Sequence, residues 1–335
     1  MASSSFYLSA RQRADIASRS ARFWWRLEIP TWTLIATVYS GWFALVYFWQ
    51  DLGPWIATPA LIWFTTWYMS LQHELIHGHP TRKPWLNQLF GTLPLAVWYP
   101  YGLYRDSHLQ HHRNEHLTLP GDDPEAYYFS RASWESLSPA MKAIVRLRNT
   151  LPGRMLIGPL LDISATLTGA LTALLRGEWH TVGMWGFHGV LLAGLLFWMS
   201  LHGLSAGYFI LAVSYPALSL TKVRSFYEHR AEHSPQARST LNEAGFIWRI
   251  LFLNLNYHLV HHDLPGVPWF SLRRVYFAER ESYIARSEGF VVKGYRQWFR
   301  QHTQKPVSVE AHPFASIHEP VQTARSDYNY QQETP

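Results

Sequence analysis

An all-α membrane protein is the architecture this sequence predicts, and three observations carry it. Runs free of charged residues recur along the 335-residue chain: Thr31–Trp49, Trp55–Leu71 and Met184–Thr221. The chain holds 17 Trp and 18 Tyr, rings whose polar edge and apolar body suit the water–lipid boundary. Three short histidine-dense segments lie beyond the ends of the apolar runs: His73–His79, His108–His112 and His258–His262. The mean hydropathy of −0.13 is low for a membrane protein, but a few spans averaged with large polar loops reach that value.

Taken in order, residues 1–30 form a basic N-terminal segment with Arg11, Arg13, Arg19, Arg22 and Arg26. It is expected on the cytoplasmic side, where Lys and Arg accumulate, with its Ser- and Arg-rich residues 1–22 outside the packed body. Residues 31–300 read as one membrane domain. Thr31–Trp49 is long enough to cross the roughly 30 Å hydrocarbon layer. A short turn at Asp51–Pro54 carries no Lys or Arg and belongs outside, so Trp55–Leu71 returns and delivers His73 to the cytoplasmic face. Residues 73–154 hold nine Lys or Arg and read as cytoplasmic. Within them, Leu89–Tyr104 is apolar but broken by Gly91, Pro94, Pro100 and Gly102, which fits an interfacial or re-entrant piece.

Met155–Leu175 is apolar yet interrupted by Gly158-Pro159 and Asp162. Met184–Thr221 runs 38 residues without Lys, Arg, Asp or Glu and turns at Leu201-His202-Gly203, so it reads as a hairpin of two spans. If all histidine segments share one face, an even number of spans separates the second from the third. That places 155–175 in the interface and makes about four transmembrane helices, with interfacial helices and a cytoplasmic histidine-rich cap. Residues 271–300 mix Arg, Tyr, Phe and Trp like an amphipathic surface helix. Residues 301–335 are a polar tail expected outside the body and poorly ordered.

Several classes are disfavoured at once. The net charge of +6 and pI near 9.4 come from scattered basic residues and not from one stripe, which argues against nucleic acid. No cysteine is present, which excludes disulfides, thiolate metal sites and a Cys nucleophile. No secretory signal peptide is legible, because the first apolar run begins near Thr31 with no small-residue cleavage site.

The histidines carry the chemistry. His108-Leu-Gln-His111-His112 and His258-Leu-Val-His261-His262 share the pattern H-x-x-H-H. On a helix, positions i, i+3 and i+4 share one face, so each pattern can aim three imidazoles at one point. His73 and His77 form an i,i+4 pair about 6 Å apart along the axis. Eight imidazoles exceed what one ion takes and suit two ions of a nitrogen-preferring transition metal. His73-Glu74-Leu-Ile-His77 also matches H-E-x-x-H, the zinc metallopeptidase pattern with Glu as general base. That reading needs one zinc and one further ligand, and it leaves both H-x-x-H-H segments without a role. A transporter or metal sensor would instead place its polar ligands within the spans. His180, His188, His302, His312 and His318 read as ordinary surface or core residues.

On these residues the chain, from about 31 to 275, resembles the integral-membrane di-iron oxidases: fatty-acid desaturases, alkane and fatty-acid hydroxylases, and carotenoid ketolases. His73-x-x-x-His77 resembles the first histidine box, His108-x-x-His111-His112 the second, and His258-x-x-His261-His262 the third. The continuation Asp263-Leu264-Pro265-x-x-Pro268-Trp269 is similar to the sequence after the third box of desaturases and ketolases. The family usually carries a ninth imidazole before the third box, and Tyr227-Glu228-His229 resembles that site, favouring His229 over His233. Ser225 stands where some members have Asn, four residues before this His. His79 and His116 are further ligand candidates. Glu74, Glu228 and Asp263 are adjacent to ligands and are candidates to orient imidazole N–H groups.

The resemblance implies two Fe2+ ions, O2 as co-substrate and removal of hydrogen from an unactivated C–H bond. It implies a desaturase acting on a fatty acyl or other lipid-like substrate, in a bacterial inner membrane with the boxes on the cytoplasmic side. Hydroxylation, carotenoid ketolation, or desaturation of a non-lipid metabolite as for rhizobitoxine are alternatives within the family. No electron carrier is legible in the chain, so a separate ferredoxin- or rubredoxin-like donor with its reductase is implied. Arg82, Lys83, Arg105 and Arg113 are candidates to steer an acidic donor.

Overall fold

The structure, a computed structural model, describes residues 8–315 apart from the side chain of Asn114. It is helical throughout; the only sheet among the described residues pairs Leu241–Asn242 with Val291–Val292, two residues a side and parallel. Four helices are long and apolar enough to cross a membrane: Phe23–Tyr47, Gly158–Leu175, Trp179–Leu201 and Ala206–Tyr227. Their lipid-type surfaces carry large apolar side chains in the open, including Val190 at 72 % and Leu211 at 73 % exposure. In water such a surface would be an aggregation site; a bilayer removes the problem.

The Pro54–Ile76 helix is not among those four, although the apolar run 55–71 predicts a span there. Pro54, Pro59, Trp55, Trp63, Trp67 and Tyr68 dilute its apolarity, and its last residues include Gln72, His73 and Glu74. Protein surrounds those residues instead of lipid, and every position from Tyr68 to Ile76 is buried. It packs on the Ile29–Tyr47 helix through Val38, Trp42, Val46, Ala57, Leu61 and Leu71. The buried Trp42 indole N–H donates to Thr65 Oγ1 at 3.1 Å.

Two ends of this bundle can be told apart. At one end, the ring of Tyr47 meets His202 and the hydroxyls of Thr58 and Tyr208 hydrogen-bond at 2.9 Å. At the other lie His73, His77 and the Tyr101–His111 helix. The helices 29–47, 54–76, 179–201 and 206–224 run between the two ends. The Gly158–Leu175 helix does not. Near its start Asp162 forms a close ion pair with Lys222, late in the 206–227 segment, and its end joins Trp179 through Arg176–Glu178. Both neighbours lie at the histidine end, so this helix lies across that end, as the parity argument expects, although its length and apolarity would allow a crossing.

The termini pack more than their composition predicts. Leu8 and Gln12 are buried, and Ile16 packs against a cluster of Trp25, Leu241, Tyr257 and Tyr276, so the described part of residues 1–22 belongs to the body. Ala311 bridges Phe129, and the buried His312 pairs through Nε2 with Thr118 Oγ1 at 3.0 Å. The tail expected from 301 therefore joins the body as far as 315. These segments cover loop backbone that would otherwise lack hydrogen-bond partners, a pairing that local composition does not encode. Residues 316–335, with His318, lie outside the described residues, as do residues 1–7.

Candidate metal centre

Nine imidazoles meet at the histidine end of the bundle, in two groups. His73, His77, His108, His112 and His261 form one; His111, His229, His258 and His262 form the other. In each group the candidate ligand nitrogens all lie within 4.8 Å of one another. They are the nine residues singled out from the sequence. His79, His116 and His233 stand outside both groups: the Nδ1 of buried His79 meets Glu28 Oε1 at 2.6 Å, His116 faces Asp122 at 3.7 Å, and the His233 ring lies on Phe314.

The helices deliver the rings in a way that corrects one expectation. Neither H-x-x-H-H segment aims three imidazoles at one point. Each sends its i,i+4 pair to one group and its i+3 ring to the other: His108 and His112 against His111, His258 and His262 against His261. At 3.6 residues per turn, i and i+4 differ by about 40° around the axis, whereas i+3 and i+4 differ by about 100°. Two adjacent foci therefore result, and each segment stitches them together. His77 follows the last turn of the Pro54–Ile76 helix. His229 sits in an antiparallel bridge with Ser239, and the short His258–Asp263 helix is pinned where Leu259 N–H donates to Thr240 O at 3.1 Å.

Distances within the groups fit a shared ion. Nε2–Nε2 separations are 3.1 Å for His77–His108, His108–His112 and His112–His261. They are 3.1 Å for His111–His229, 3.0 Å for His229–His258 and 3.1 Å for His258–His262. Ligand nitrogens about 2.0–2.1 Å from one ion lie about 2.9–3.4 Å apart. Hydrogen bonding between the rings does not account for the pattern. His108 donates from Nδ1 to Glu125 Oε1 at 2.9 Å and His111 from Nδ1 to Asp123 Oδ1 at 2.8 Å. In the neutral ring that leaves Nε2 as a lone pair facing other Nε2 atoms. Both ring nitrogens of the buried His73 lack any protein partner, a cost that a metal ion removes.

Burial holds His112, His258, His261 and His262 well below the ordinary histidine range and His229 down at about 3. It also lowers His108, against the opposing pull of Glu125. These rings are neutral at pH 7, the form that binds metal. His111 is the exception: burial pushes it down, but Glu125 and Asp123 more than offset this and hold it above the ordinary value.

The carboxylates that orient imidazoles are mostly not those expected. Glu228 comes near one, its Oε1 3.5 Å from His258 Nδ1, but does not hydrogen-bond it. Glu74 instead accepts the Trp269 backbone N–H at 3.1 Å, tying the loop after the third segment to the first. Asp263 forms a close ion pair with Arg286. The reason is geometric: a neighbour on a helix points about 100° away from the ligand it follows. The same orientation undoes the peptidase reading, because Glu74 faces the loop and cannot act on a water at His73 and His77. Asp123 and Glu125, in the turn after the second segment, supply the support together with Ser239 Oγ, 3.2 Å from His229 Nδ1. Their distance along the chain from the rings they hold left no local signal beyond the Gly121–Pro124 turn.

A cavity of about 830 Å3 opens beside the centre. His73, His111 and His229 contribute to its wall, and Trp98, Ala170 and Leu218 are among its apolar lining. Together these features define a polytopic membrane protein with a buried, histidine-built centre compatible with metal ions and an adjoining cavity lined by apolar and charged side chains.

The chain belongs to the fatty acid desaturase family, whose sequence pattern matches residues 52–290. It is similar to the sn-1 oleoyl-lipid 12-desaturase of Arthrospira platensis, 22% identical over 266 residues that cover 71% of each chain. The enzyme of the same description from Picosynechococcus sp. is 22% identical over 77% of this chain and 71% of its own. That from Anabaena variabilis is 23% identical over 77% of this chain and 78% of its own. Family membership makes this chain a desaturase-type oxidoreductase.

Proposed function

We propose that the nine histidines hold two iron ions and that the protein uses O2 and two electrons to desaturate a fatty acyl or other lipid-like chain. The observation that carries this reading is the convergence of nine Nε2-bearing rings into groups of five and four, beside a cavity whose wall includes Trp98, Ala170 and Leu218. Neutral nitrogen ligands suit iron among other transition metals, and the family supports iron over zinc. Bound there, two ferrous ions would supply the reduction of O2 to water that is coupled to removing two hydrogens from adjacent carbons. The balance is one O2, two electrons, two protons and a saturated CH2–CH2 unit, giving one CH=CH unit and two waters.

The chain's own residues do the rest. Asp123, Glu125 and Ser239 hold ring tautomers so that Nε2 faces inward. Trp98, Leu218 and the Gly158–Leu175 helix, lying across the histidine end, wall the cavity and keep bulk water from the reacting chain. The electrons come from a separate ferredoxin- or rubredoxin-like donor and its reductase, docked at the basic inner surface that includes Arg82 and Lys83. The Arg-bearing N-terminal segment supports a cytoplasmic position of the histidine end, in a bacterial inner membrane.

Purified protein is expected to hold about two irons per chain, and a host expressing it to form products lighter by two mass units. A single zinc per chain would overturn the reading. Products heavier by sixteen would place the chain with the hydroxylases or ketolases instead.

A further inference from the structure

We infer that the cavity binds an amphiphile carrying an oxyanion, a carboxylate or a phosphate, held by the guanidinium groups of Arg148 and Arg154. This rests on reading the cavity as the substrate site. Both arginines line it and both are buried, Arg148 at 8% and Arg154 at 1% exposure.

The two other basic side chains of that wall are matched. Lys222 is in a close ion pair with Asp162, and Arg224 Nε lies 3.7 Å from Glu228 Oε1. Arg148 and Arg154 have only neutral partners. Arg148 donates from Nη2 to Tyr127 O at 3.1 Å and from Nε to Asn149 Oδ1 at 3.3 Å. Arg154 donates from Nε to Arg148 O at 3.3 Å and from Nη2 to Asn149 Oδ1 at 3.5 Å, with its guanidinium 3.7 Å above the Tyr127 ring. Its Nη1 is buried without an acceptor. These bonds brace the Tyr127 loop, but bracing needs only donors and leaves neither guanidinium an ion-pair partner; the carboxylate that acts on Arg148, Asp162, is already paired with Lys222. Burial and the neighbouring Arg154 charge lower Arg148 to about 10, the direction expected of crowded, desolvated cations. Paired planar forks of N–H donors match the oxygens of a carboxylate or phosphate, and a charged acceptor makes those bonds strong.

An acyl chain held as an ester in a neutral lipid leaves the two arginines unmatched. A free fatty acid or a phosphate-bearing chain matches them and extends its apolar part toward the imidazoles. Binding to the metal-loaded protein in detergent should therefore be compared for oleate, oleyl phosphate and oleyl alcohol, which share one chain. At least one anion is expected to bind about tenfold or more tightly than the alcohol, a gap of about 1.4 kcal/mol, and the tighter anion identifies the source. Arg154→Met should bring that anion to the alcohol's affinity, with iron content unchanged and partial recovery in Arg154→Lys. Equal affinities for all three in the unaltered protein would overturn the inference without any variant having to fold. So would a preference that survives in both Arg148→Met and Arg154→Met. A chain that prefers the anion yet holds no iron would uphold this site and sink the di-iron reading.

Discussion

The two imidazole groups use one kind of side chain and are supported differently. In the group of four, His111 leans on Asp123 and His229 on Ser239, while His258 has Glu228 Oε1 only in proximity, 3.5 Å from its Nδ1 without a hydrogen bond. In the group of five, His108 has the carboxylate of Glu125, whereas His73 lacks a protein partner at either nitrogen and His112 lacks one at Nδ1. That group is instead positioned by the buried end of the Pro54–Ile76 helix and its tie to Trp269. Rigid helix packing and outer hydrogen bonds are thus alternative ways to aim a ring, and each group relies more on one of them.

Removing a ring tests the division most severely. His261→Ala in the group of five and His258→Ala in the group of four should each abolish turnover. Iron analysis should show metal lost from both variants; full retention of two irons by either would break the proposed assignment. Smaller effects should follow from the supports. Asp123→Asn and Glu125→Gln are each expected to weaken metal affinity about 10- to 100-fold. Spectroscopy of the residual iron should show the site built on His111 emptying first in Asp123→Asn and the site built on His108 emptying first in Glu125→Gln.

Acid provides a milder probe of the same contrast. His111 has its pKa raised by Glu125 and Asp123, against burial, whereas burial holds His112 and His261 below the ordinary value. A raised pKa means that the proton returns earlier as pH falls, and a protonated ring cannot bind metal. The group of four should therefore release metal at a higher pH than the group of five in a titration followed by iron release, and the reverse order would contradict the comparison. At the small end, His302→Ala should leave iron content and turnover within error, because His302 touches Phe226 and Tyr227 and neither group.

Much of this was legible residue by residue. The i,i+4 spacing of His73 and His77 predicts two rings on one helix face, and both fall in one group. The uncharged run at Thr31–Trp49 predicts a long helix, and Ile29–Tyr47 is one. Other features were hidden for a physical reason. Glu74 and Asp263 stand beside ligands in sequence, yet helical rotation turns them away; Asp123 and Glu125 reach ligands only because a turn folds back. The apolarity of Gly158–Leu175 permits a crossing, but its partners Lys222 and Trp179 lay it across the histidine end.

The sequence by itself determined which side chains are candidates to bind metal and which stretches are apolar enough for lipid, because both follow from residue type and from spacing along one helix. Only the tertiary structure decided that the imidazoles divide five and four, which carboxylates hold them, and that two buried arginines face the same cavity. Those outcomes depend on how separate helices rotate and pack against each other, and no local repeat encodes that rotation.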